Sequence, residues 1–198
     1  MFTGIIQAVG EIAAVKAFGE SAQLSIDAGA MDMSDVGVGD SIACNGVCLT
    51  VTRLSPSGFL VDVSQETLRV TAGFTEGTAI NLEKSLRLAD RLGGHLVSGH
   101  VDGIGTVESV RPVDGNREIE IRLPAELGHY LARKGSVTVN GVSLTVNAVE
   151  AQRFSINLIP HTLSVTNLNG LKQGDKVNLE IDLVARYVER MLGAGGRA

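Results

Sequence analysis

The sequence predicts an all-β fold of two similar modules followed by one C-terminal helix. Three observations lead to this prediction. Nearly the same seven residues occur twice, from Asn45 to Val51 and from Asn140 to Val146. Short alternating segments fill both halves, and the last segment has a helical period over several turns. The 24 glycines in 198 residues favour many turns, and therefore short strands over long helices.

Matched segments in the same order indicate that one unit has been duplicated. The pairs are NGVCLTV and NGVSLTV, SQETL (64–68) and IPHTL (159–163), INLEKSL (80–86) and VNLEIDL (177–183), and TGI (3–5) and DGI (102–104). Small differences in spacing between the pairs fall in predicted loops. We therefore place the first module at residues 1–97, the second at 98–183, and a helix and tail at 184–198.

Within each module the pattern is that of short antiparallel strands. The predicted strands include IIQAVGEIAAV, QLSIDA and SGFLVDV in the first half, and GIGTVESV, REIEIRL and RFSINLI in the second. VGVGD and LKQGD are turns, and ETLRVT and AELGHYLAR are predicted as single helices between strands. This spacing fits a small barrel or a small sandwich, and the pattern does not choose between them.

The C-terminal segment has an apolar stripe that predicts an amphipathic helix ending near Gly193. The stripe consists of Val184, Tyr187, Val188, Met191 and Leu192. Two interpretations stay open, since the stripe either packs on its own module or contacts another subunit.

Composition and charge argue against several classes of function. The net charge is -5 and no dense basic run occurs, so nucleic acid is not an expected partner. The first residues, MFTGIIQAVGEI, lack the basic region of a signal peptide, and no run of 18 apolar residues predicts a membrane span. We therefore expect a cytoplasmic protein.

The cysteines and histidines do not form a recognisable metal or redox motif. Cys44 and Cys48 on one strand would lie about 13 Å apart, too far for a disulfide, so free thiols are expected. His95 and His100 would face opposite ways in an extended segment, a poor geometry for zinc. No phosphate-binding glycine motif occurs.

The repeated peptide is the first candidate for a functional site. Asn-Gly favours a tight turn, and the strand after it would carry Cys48 and Thr50 on one face. Ser143 and Thr145 would lie on the corresponding face of the second module. Either these polar pairs line a ligand site, or they are ordinary core and cross-strand residues.

The differences between the modules are informative as well. The substitutions between matched positions are Cys48 to Ser143, Glu66 to His161, Ser85 to Asp182 and Gly39 to Lys134. Two similar sites with different polar groups suit a reaction between two like molecules, because each copy is then treated differently.

The motifs together resemble those of the riboflavin synthase family, of the alpha-chain type, over essentially the whole chain. They are MFTGI, NGVCLTV, GGHLVSGH, NGVSLTV, IPHTL and VNLEIDL. The resemblance implies two tandem six-stranded antiparallel Greek-key barrels, a C-terminal helix that holds a homotrimer, and no cofactor. It implies that two 6,7-dimethyl-8-ribityllumazine molecules react by transfer of a four-carbon unit.

The resemblance also implies which residues bind the two substrates. For the first module they are Gly4, Ile5, Ile6, Cys48, Leu49, Thr50, Asp62, Val63, Ser64, Gln65, Glu66 and Thr67. For the second module they are Gly99, His100, Val101, Lys134, Ser143, Leu144, Thr145, Asn157, Leu158, Ile159, Pro160, His161 and Thr162. Such segments suit a ribityl chain, whose hydroxyls need hydrogen-bond donors and acceptors.

For the chemistry we assign roles as hypotheses. His100, or a water that it orients, removes a proton from the 7-methyl group of one lumazine. Cys48 or a water beside it assists attack at the other lumazine, with Ser41 close by. The remaining candidates are Ser143, Thr145 and Lys134, which orient the second copy, Asp182, which supports them, and Phe2.

Assembly and two alternative functions complete the sequence-based expectations. The resemblance implies an active site between the first module of one subunit and the second of its neighbour. A fluorescent lumazine- or flavin-binding accessory protein and a flavin-dependent reductase are the alternatives. The polar residues of both halves are in place, which favours the enzyme. Donor and acceptor pockets, and a complex with lumazine synthase, stay open.

Overall fold

Two closed antiparallel barrels make up most of the protein, and the sandwich alternative is wrong. The structure is a computed structural model that describes residues 1–195. The first barrel contains β1 (Ala8–Phe18), β2 (Ser21–Asp27), β3 (Ser41–Cys44), β4 (Val47–Ser55), β5 (Gly58–Val63) and β6 (Ala79–Lys84). Its strand order is β1-β2-β5-β4-β3-β6, closed on itself. The predicted six-stranded barrel is thereby confirmed.

The second barrel repeats this arrangement. It contains β7 (Gly103–Val113), β8 (Asn116–Arg122), β9 (Ser136–Val139), β10 (Val142–Glu150), β11 (Arg153–Leu158) and β12 (Lys176–Ile181). Its strand order is β10-β11-β8-β7-β12-β9, again closed. Even the irregularities repeat, because register shifts follow Val51 in β4 and Val146 in β10. Such bulges bend strands sharply, which helps a small sheet to close.

Short helices connect the strands. They are α1 (Gln65–Val70), α2 (Pro160–Val165), the 3-10 turns Ala125–Tyr130 and Asn167–Gly170, and the terminal α3 (Leu183–Gly195). The helix predicted in ETLRVT is confirmed, and AELGHYLAR forms only a 3-10 turn. The α2 helix was not predicted, although Pro160 at its start is compatible with the first turn of a helix.

The Asn-Gly turns bring the two barrels together. Asn45, Gly46, Asn140 and Gly141 all have positive φ, as a tight hairpin turn of this kind requires. A Cβ atom on Gly46 would lie 2.8 Å from the backbone nitrogen of Gly141. The two turns therefore pack backbone against backbone, and glycine is the residue that permits this approach.

Four asparagines lock this contact in a reciprocal pattern. The Asn81 side chain donates to the Asn140 carbonyl at 3.0 Å, and the Asn178 side chain donates to the Asn45 carbonyl at 2.9 Å. The Asn45 and Asn140 side chains in turn accept from the backbone nitrogens of Asn81 and Asn178. This symmetry explains why Asn recurs in NGV and NLE of both halves.

The segments that lead into the two barrels pair with each other. Phe2 and Val97 form an isolated β-bridge, with N–H to O distances of 2.8 and 3.1 Å. Thr3 and Gly4 therefore correspond to Ser98 and Gly99. The sequence match of TGI with DGI was wrong, because the shared Gly-Ile pair obscured this equivalence. The predicted division at residue 97 falls inside the bridged segment.

The cysteines lie on different strands, so the sequence-based assumption of one shared strand was wrong. Cys44 ends β3 and Cys48 belongs to β4, with the Asn-Gly turn between them. Cys44 lies in the first core, whereas Cys48 is half-buried on the outer side. Both thiols are free, as predicted.

The α3 helix is attached by its polar side. Arg186 forms an ion pair with Asp102. Glu189 accepts a hydrogen bond from the Tyr130 hydroxyl, and its carboxylate lies 3.0 Å from Nε2 of His129. The predicted apolar stripe is exposed, with Met191 at 75%, so it does not pack on its own barrel. Residues 196–198 of the predicted tail lie outside the described residues. Within residues 1–195, no helix has the length and apolar character that a membrane crossing needs.

Candidate active site

Cys48 and Ser143 occupy equivalent positions on the outer faces of the barrels. In β4, Val47 and Leu49 point into the core, Cys48 is half-buried and Thr50 is exposed. In β10, the same pattern leaves Ser143 half-buried and Thr145 exposed. The alternation predicted from the sequence is present, and these four side chains are not part of the barrel cores.

The leading segments cross between the barrels and reach these positions. The Cys48 N–H donates to the Gly99 carbonyl at 2.9 Å, although Gly99 leads into the second barrel. The Ser143 N–H donates to the Gly4 carbonyl at 2.8 Å, although Gly4 leads into the first barrel. Each outer face is therefore completed by the segment that precedes the other barrel.

The contacts of the crossing segments differ from the sequence-based grouping of the site residues. Gly4 to Ile6 were assigned to the first module, but Ile6 packs against the second core. Gly99 to Val101 were assigned to the second module, but Val101 packs against the first core. Sequence adjacency is misleading here, because the bridged segments run between the barrels before they enter their own.

Glycine is required at both crossing points. Gly4 and Gly99 have φ values of +73° and +80°, which residues with a Cβ rarely adopt. A Cβ on Gly99 would lie 2.6 Å from the Cys48 Cβ, and one on Gly4 would lie 2.6 Å from the Ser143 Cβ. The backbone thus approaches both strands as closely as it can.

Two buried carboxylates hold the crossing segments. Glu83 accepts from the Thr3 N–H at 2.7 Å, the Thr3 hydroxyl at 2.6 Å and the Gly4 N–H at 2.9 Å. Glu180 accepts from the Ser98 N–H, the Ser98 hydroxyl and the Gly99 N–H at 2.6, 2.7 and 3.0 Å. Burial raises the pKa of both carboxyls, and these hydrogen bonds oppose the shift.

A buried histidine that the sequence analysis missed lies at the second site. The Nδ1 atom of His95 is 2.7 Å from the Ser143 hydroxyl, and Nε2 has no hydrogen-bond partner in the described part of the chain. Burial lowers the pKa of His95, while the charge of Asp182 opposes this shift. The ring is therefore neutral near pH 7. The GGHLVSGH motif contains His95, but the sequence analysis considers this histidine only as a zinc ligand.

His100 follows the crossing residue Gly99 in the chain. Its side chain is exposed, and the Gly99 carbonyl accepts from Cys48. Its own N–H donates to the Ser98 hydroxyl at 3.3 Å, which fixes the turn. The Cys48 thiol is thus half-buried beside the Gly99–His100 peptide, whereas the Ser143 hydroxyl contacts the buried imidazole of His95.

Ser41 and Asp182 flank the two sites. Ser41 pairs with Thr50 across the β3–β4 ladder, and its carbonyl accepts from Ser85 at 3.1 Å. A surface pocket next to it includes Asp40, Ser41, Ser85 and Arg87. Asp182 accepts from the Val184 N–H at 2.9 Å at the start of α3.

Lys134 and Phe2 have different surroundings from each other. Lys134 is exposed and has a φ of +69°. Its N–H donates to the Val146 carbonyl, just as the Gly39 N–H donates to the Val51 carbonyl, so Lys134 and Gly39 occupy equivalent positions. Phe2 is fully buried, in a small cluster with Cys48. Phe2 therefore supports the first site from behind, since none of its side chain is exposed to a ligand.

The remaining predicted segments lie at equivalent strand ends. Asp62 to Thr67 and Asn157 to Thr162 each span the end of a strand and the first turn of α1 or α2. Four predicted binding residues have side chains in the barrel cores, so they offer a ligand their backbone alone. These are Leu49, Val63, Leu144 and Leu158.

The chain matches the lumazine binding domain family twice, over residues 3–85 and 98–182. A riboflavin synthase of Photobacterium phosphoreum is 47% identical over 97% of this chain and 89% of its own length. A riboflavin synthase of Mycobacterium bovis is 44% identical over 99% of this chain and all of its own.

Solved structures have the same fold. The crystal structure of LumP complexed with riboflavin superimposes with a TM-score of 0.83 at 26% identity, covering 91% of this chain and 99% of LumP. LumP complexed with 6,7-dimethyl-8-(1'-D-ribityl) lumazine gives a TM-score of 0.81 at 25% identity, with the same coverage. These solved structures share both barrels with this chain.

Proposed function

The chain belongs to the riboflavin synthase family, and we propose that it converts two 6,7-dimethyl-8-ribityllumazine molecules into riboflavin and 5-amino-6-(D-ribitylamino)uracil. One lumazine gives a four-carbon unit to the other, so the enzyme is a transferase of the last step of riboflavin biosynthesis. The observation that carries the proposal is the identity of 47% and 44% with riboflavin synthases over nearly the whole chain.

The duplicated site supports this function. The reaction consumes two copies of one substrate, and each barrel offers one outer face completed by a crossing segment. Holding two reactants in a fixed orientation supplies a large part of a rate enhancement, since effective molarities reach about 10⁵ M or more. Each barrel therefore holds one lumazine, and the reaction takes place where two such sites meet.

The first site carries the groups for proton removal and nucleophilic assistance. His100 takes a proton from the acidic 7-methyl group, directly or through a water. The Cys48 thiol, or a water beside it, assists attack on the partner ring. Ser41 lies across the strand ladder from Thr50 and adds a hydroxyl at this face, while Phe2 fixes the strand from behind.

The second site carries the groups that orient its lumazine. The Ser143 and Thr145 hydroxyls and the Lys134 ammonium bind and polarise the ring and its ribityl chain. The Nδ1 atom of His95 lies 2.7 Å from the Ser143 hydroxyl and keeps it in place. The negative charge of Asp182 acts to raise the pKa of His95, against the effect of burial. The Cys48→Ala and Ser143→Ala variants test the asymmetry, because equal and small losses of turnover would contradict different roles for the two sites.

Assembly into a homotrimer brings the first barrel of one subunit to the second barrel of the next. The exposed stripe of α3 is the surface for this contact, since Met191 and Leu192 are 75% and 74% exposed in the single chain. The two substrate rings then meet at a dry subunit interface. Sedimentation equilibrium measures the expected trimer.

The decisive assay mixes the purified protein with 6,7-dimethyl-8-ribityllumazine and no cofactor, and follows riboflavin by absorbance and fluorescence. We expect one riboflavin for every two lumazines consumed. Tight binding of lumazine without product would instead identify an accessory binding protein, the alternative function with the same fold.

The cellular context follows from this function. We place the protein in the cytoplasm, where the substrate would be made and consumed. Lumazine synthase, which supplies the substrate, is the macromolecular partner to test, by co-sedimentation of the two proteins with and without substrate.

A further inference from the structure

The buried carboxylates of Glu83 and Glu180 have no part in the chemistry proposed above. Both end the NLE motif that the two modules share, on β6 and β12. They are 3% and 4% exposed, and no Lys or Arg side chain pairs with either of them within residues 1–195. A buried charge without an ion-pair partner is costly, so its retention in both halves needs a physical reason.

The hydrogen bonds provide that reason. Each carboxylate receives two successive backbone N–H groups and one hydroxyl, from Thr3 and Gly4 at Glu83 and from Ser98 and Gly99 at Glu180. Two adjacent N–H groups that point the same way need two acceptor atoms side by side. A carboxylate supplies them, and a neutral amide does not, because one of its two atoms is a donor.

The same peptide segments carry the crossing contacts. The Gly99 N–H donates to Glu180 of the second barrel, while the Gly99 carbonyl accepts from Cys48 of the first. The Gly4 N–H donates to Glu83 of the first barrel, while the Gly4 carbonyl accepts from Ser143 of the second. A single glycine therefore links each carboxylate to the outer face of the opposite barrel, Gly99 for Glu180 and Gly4 for Glu83.

We propose that Glu83 and Glu180 are positioning residues that each build the substrate site of the opposite barrel. Glu180 fixes Gly99, which bonds Cys48 and precedes His100, and Glu83 fixes Gly4, which bonds Ser143 and precedes Ile5. The assignment of a substrate to these sites rests on the proposed function, whereas the crossed positioning rests on the contacts alone.

The reactivity of Cys48 tests the crossing without any catalysis. Cys48 is half-buried, whereas Cys44 is fully buried and burial raises the pKa of its thiol, so iodoacetamide modifies Cys48 first. Glu180→Gln places an amide NH₂ against an N–H donor and releases the Gly99 segment from Cys48. We expect about tenfold faster modification, followed by mass spectrometry, because a lost hydrogen bond to a charged group changes an equilibrium by that order.

The matched control is Glu83→Gln, which makes the same change on the barrel that contains Cys48. We expect less than about twofold acceleration, since the carbonyl partner of Cys48 is held by Glu180. Equal acceleration in both variants would overturn the crossed assignment. An unchanged rate in a folded Glu180→Gln protein would overturn the positioning role.

The NMR signals of His95 test the crossed contact at the second site. Glu83→Gln should shift the imidazole NMR signals of His95, which contacts Ser143, while Glu180→Gln leaves them nearly unchanged. His95→Asn assigns the signals by their loss. Shifts of the same size in both variants contradict the proposal.

A milder pair of variants covers the case in which the Gln proteins do not fold. Ser98→Ala removes the hydroxyl donor to Glu180 and leaves the carboxylate, and Thr3→Val does the same at Glu83. Ser98→Ala should accelerate Cys48 modification by about threefold more than Thr3→Val, as a partial loss of one hydrogen bond implies. Equal rates refute the proposal.

Turnover separates this inference from the proposed function. A crossed effect on Cys48 and His95 in a protein that makes no riboflavin leaves the positioning role standing and removes the function. Riboflavin formation with no crossed effect would support the proposed function and refute the positioning role. If both hold, Glu180→Gln should also lower kcat, because the segment that carries His100 is displaced.

Discussion

Replacing Gly99 by Ala tests how closely the crossing segment must approach Cys48. The added Cβ would lie 2.6 Å from the Cys48 Cβ and 2.9 Å from Phe2, at a φ of +80°. The positive φ costs about 1 to 2 kcal/mol for a residue with a Cβ. Overpacking against the Cys48 and Phe2 side chains adds about 1 to 3 kcal/mol. The free energy of unfolding should therefore fall by about 2 to 5 kcal/mol.

Gly73→Ala is the matched control for this substitution. Gly73 has a φ of +87°, and a Cβ there would meet no atom within 4 Å. It therefore carries only the backbone term of about 1 to 2 kcal/mol. Urea unfolding measures both variants, and the midpoint of Gly99→Ala should lie clearly lower, with an unchanged slope.

Activity provides the second measurement on the same pair. Gly99→Ala should lower riboflavin formation by more than about tenfold, because a displacement of about 1 Å at a site has effects of that order or larger. Gly73→Ala should stay within about twofold of the unmodified protein, since most surface changes have small effects. Equal losses of stability and activity in the two variants would refute the close approach of Gly99 to Cys48.

Three further predictions concern the barrel contact, the buried histidine and α3. Asn178→Ala should lower the free energy of unfolding by about 1 to 3 kcal/mol in urea, because the Asn45 carbonyl loses its buried partner. His95 has a lowered pKa in the folded state, so its contribution to stability is present above its ordinary value of 6.5 and is lost as pH falls through the folded pKa. His95→Asn should therefore flatten the decrease in melting temperature below about pH 6.5. Met191→Glu should convert the proposed trimer to monomers in gel filtration, with loss of riboflavin formation, whereas an unchanged elution volume contradicts a role for the α3 stripe.

Much of the fold could be predicted because alternation and turn chemistry are local. The Asn-Gly turns, the strands after them and the duplication are readable in sequence, since period-two patterns directly reflect which side faces the core. Closure into barrels was not readable from the pattern alone, because it depends on bulges such as those after Val51 and Val146. The α2 helix was missed because Pro160 suggests a break as readily as a helix start.

The candidate site was predicted less completely, for a different reason. Cys48 and Ser143 could be matched because their surrounding peptides are nearly identical. The equivalence of Thr3-Gly4 and Ser98-Gly99 rests on a hydroxyl and a glycine N–H in each segment that bond matching carboxylates, Glu83 and Glu180. Two residues give a weak sequence signal, and the partner of each segment lies about 80 positions away. Only the three-dimensional contacts assign them.

The crossing gives the duplication a physical meaning beyond two copies of a pocket. If each barrel completed its own outer face, the two sites could change independently and one could be lost without cost to the other. Here the strand that holds Cys48 needs the Gly99 carbonyl, and Gly99 in turn needs Glu180 of the other barrel. A change at the carboxylate of either barrel therefore reaches the site of the other barrel. A reaction that consumes two like molecules requires both sites to be formed together, and a reciprocal arrangement of this kind makes the formation of one depend on the folding of the other.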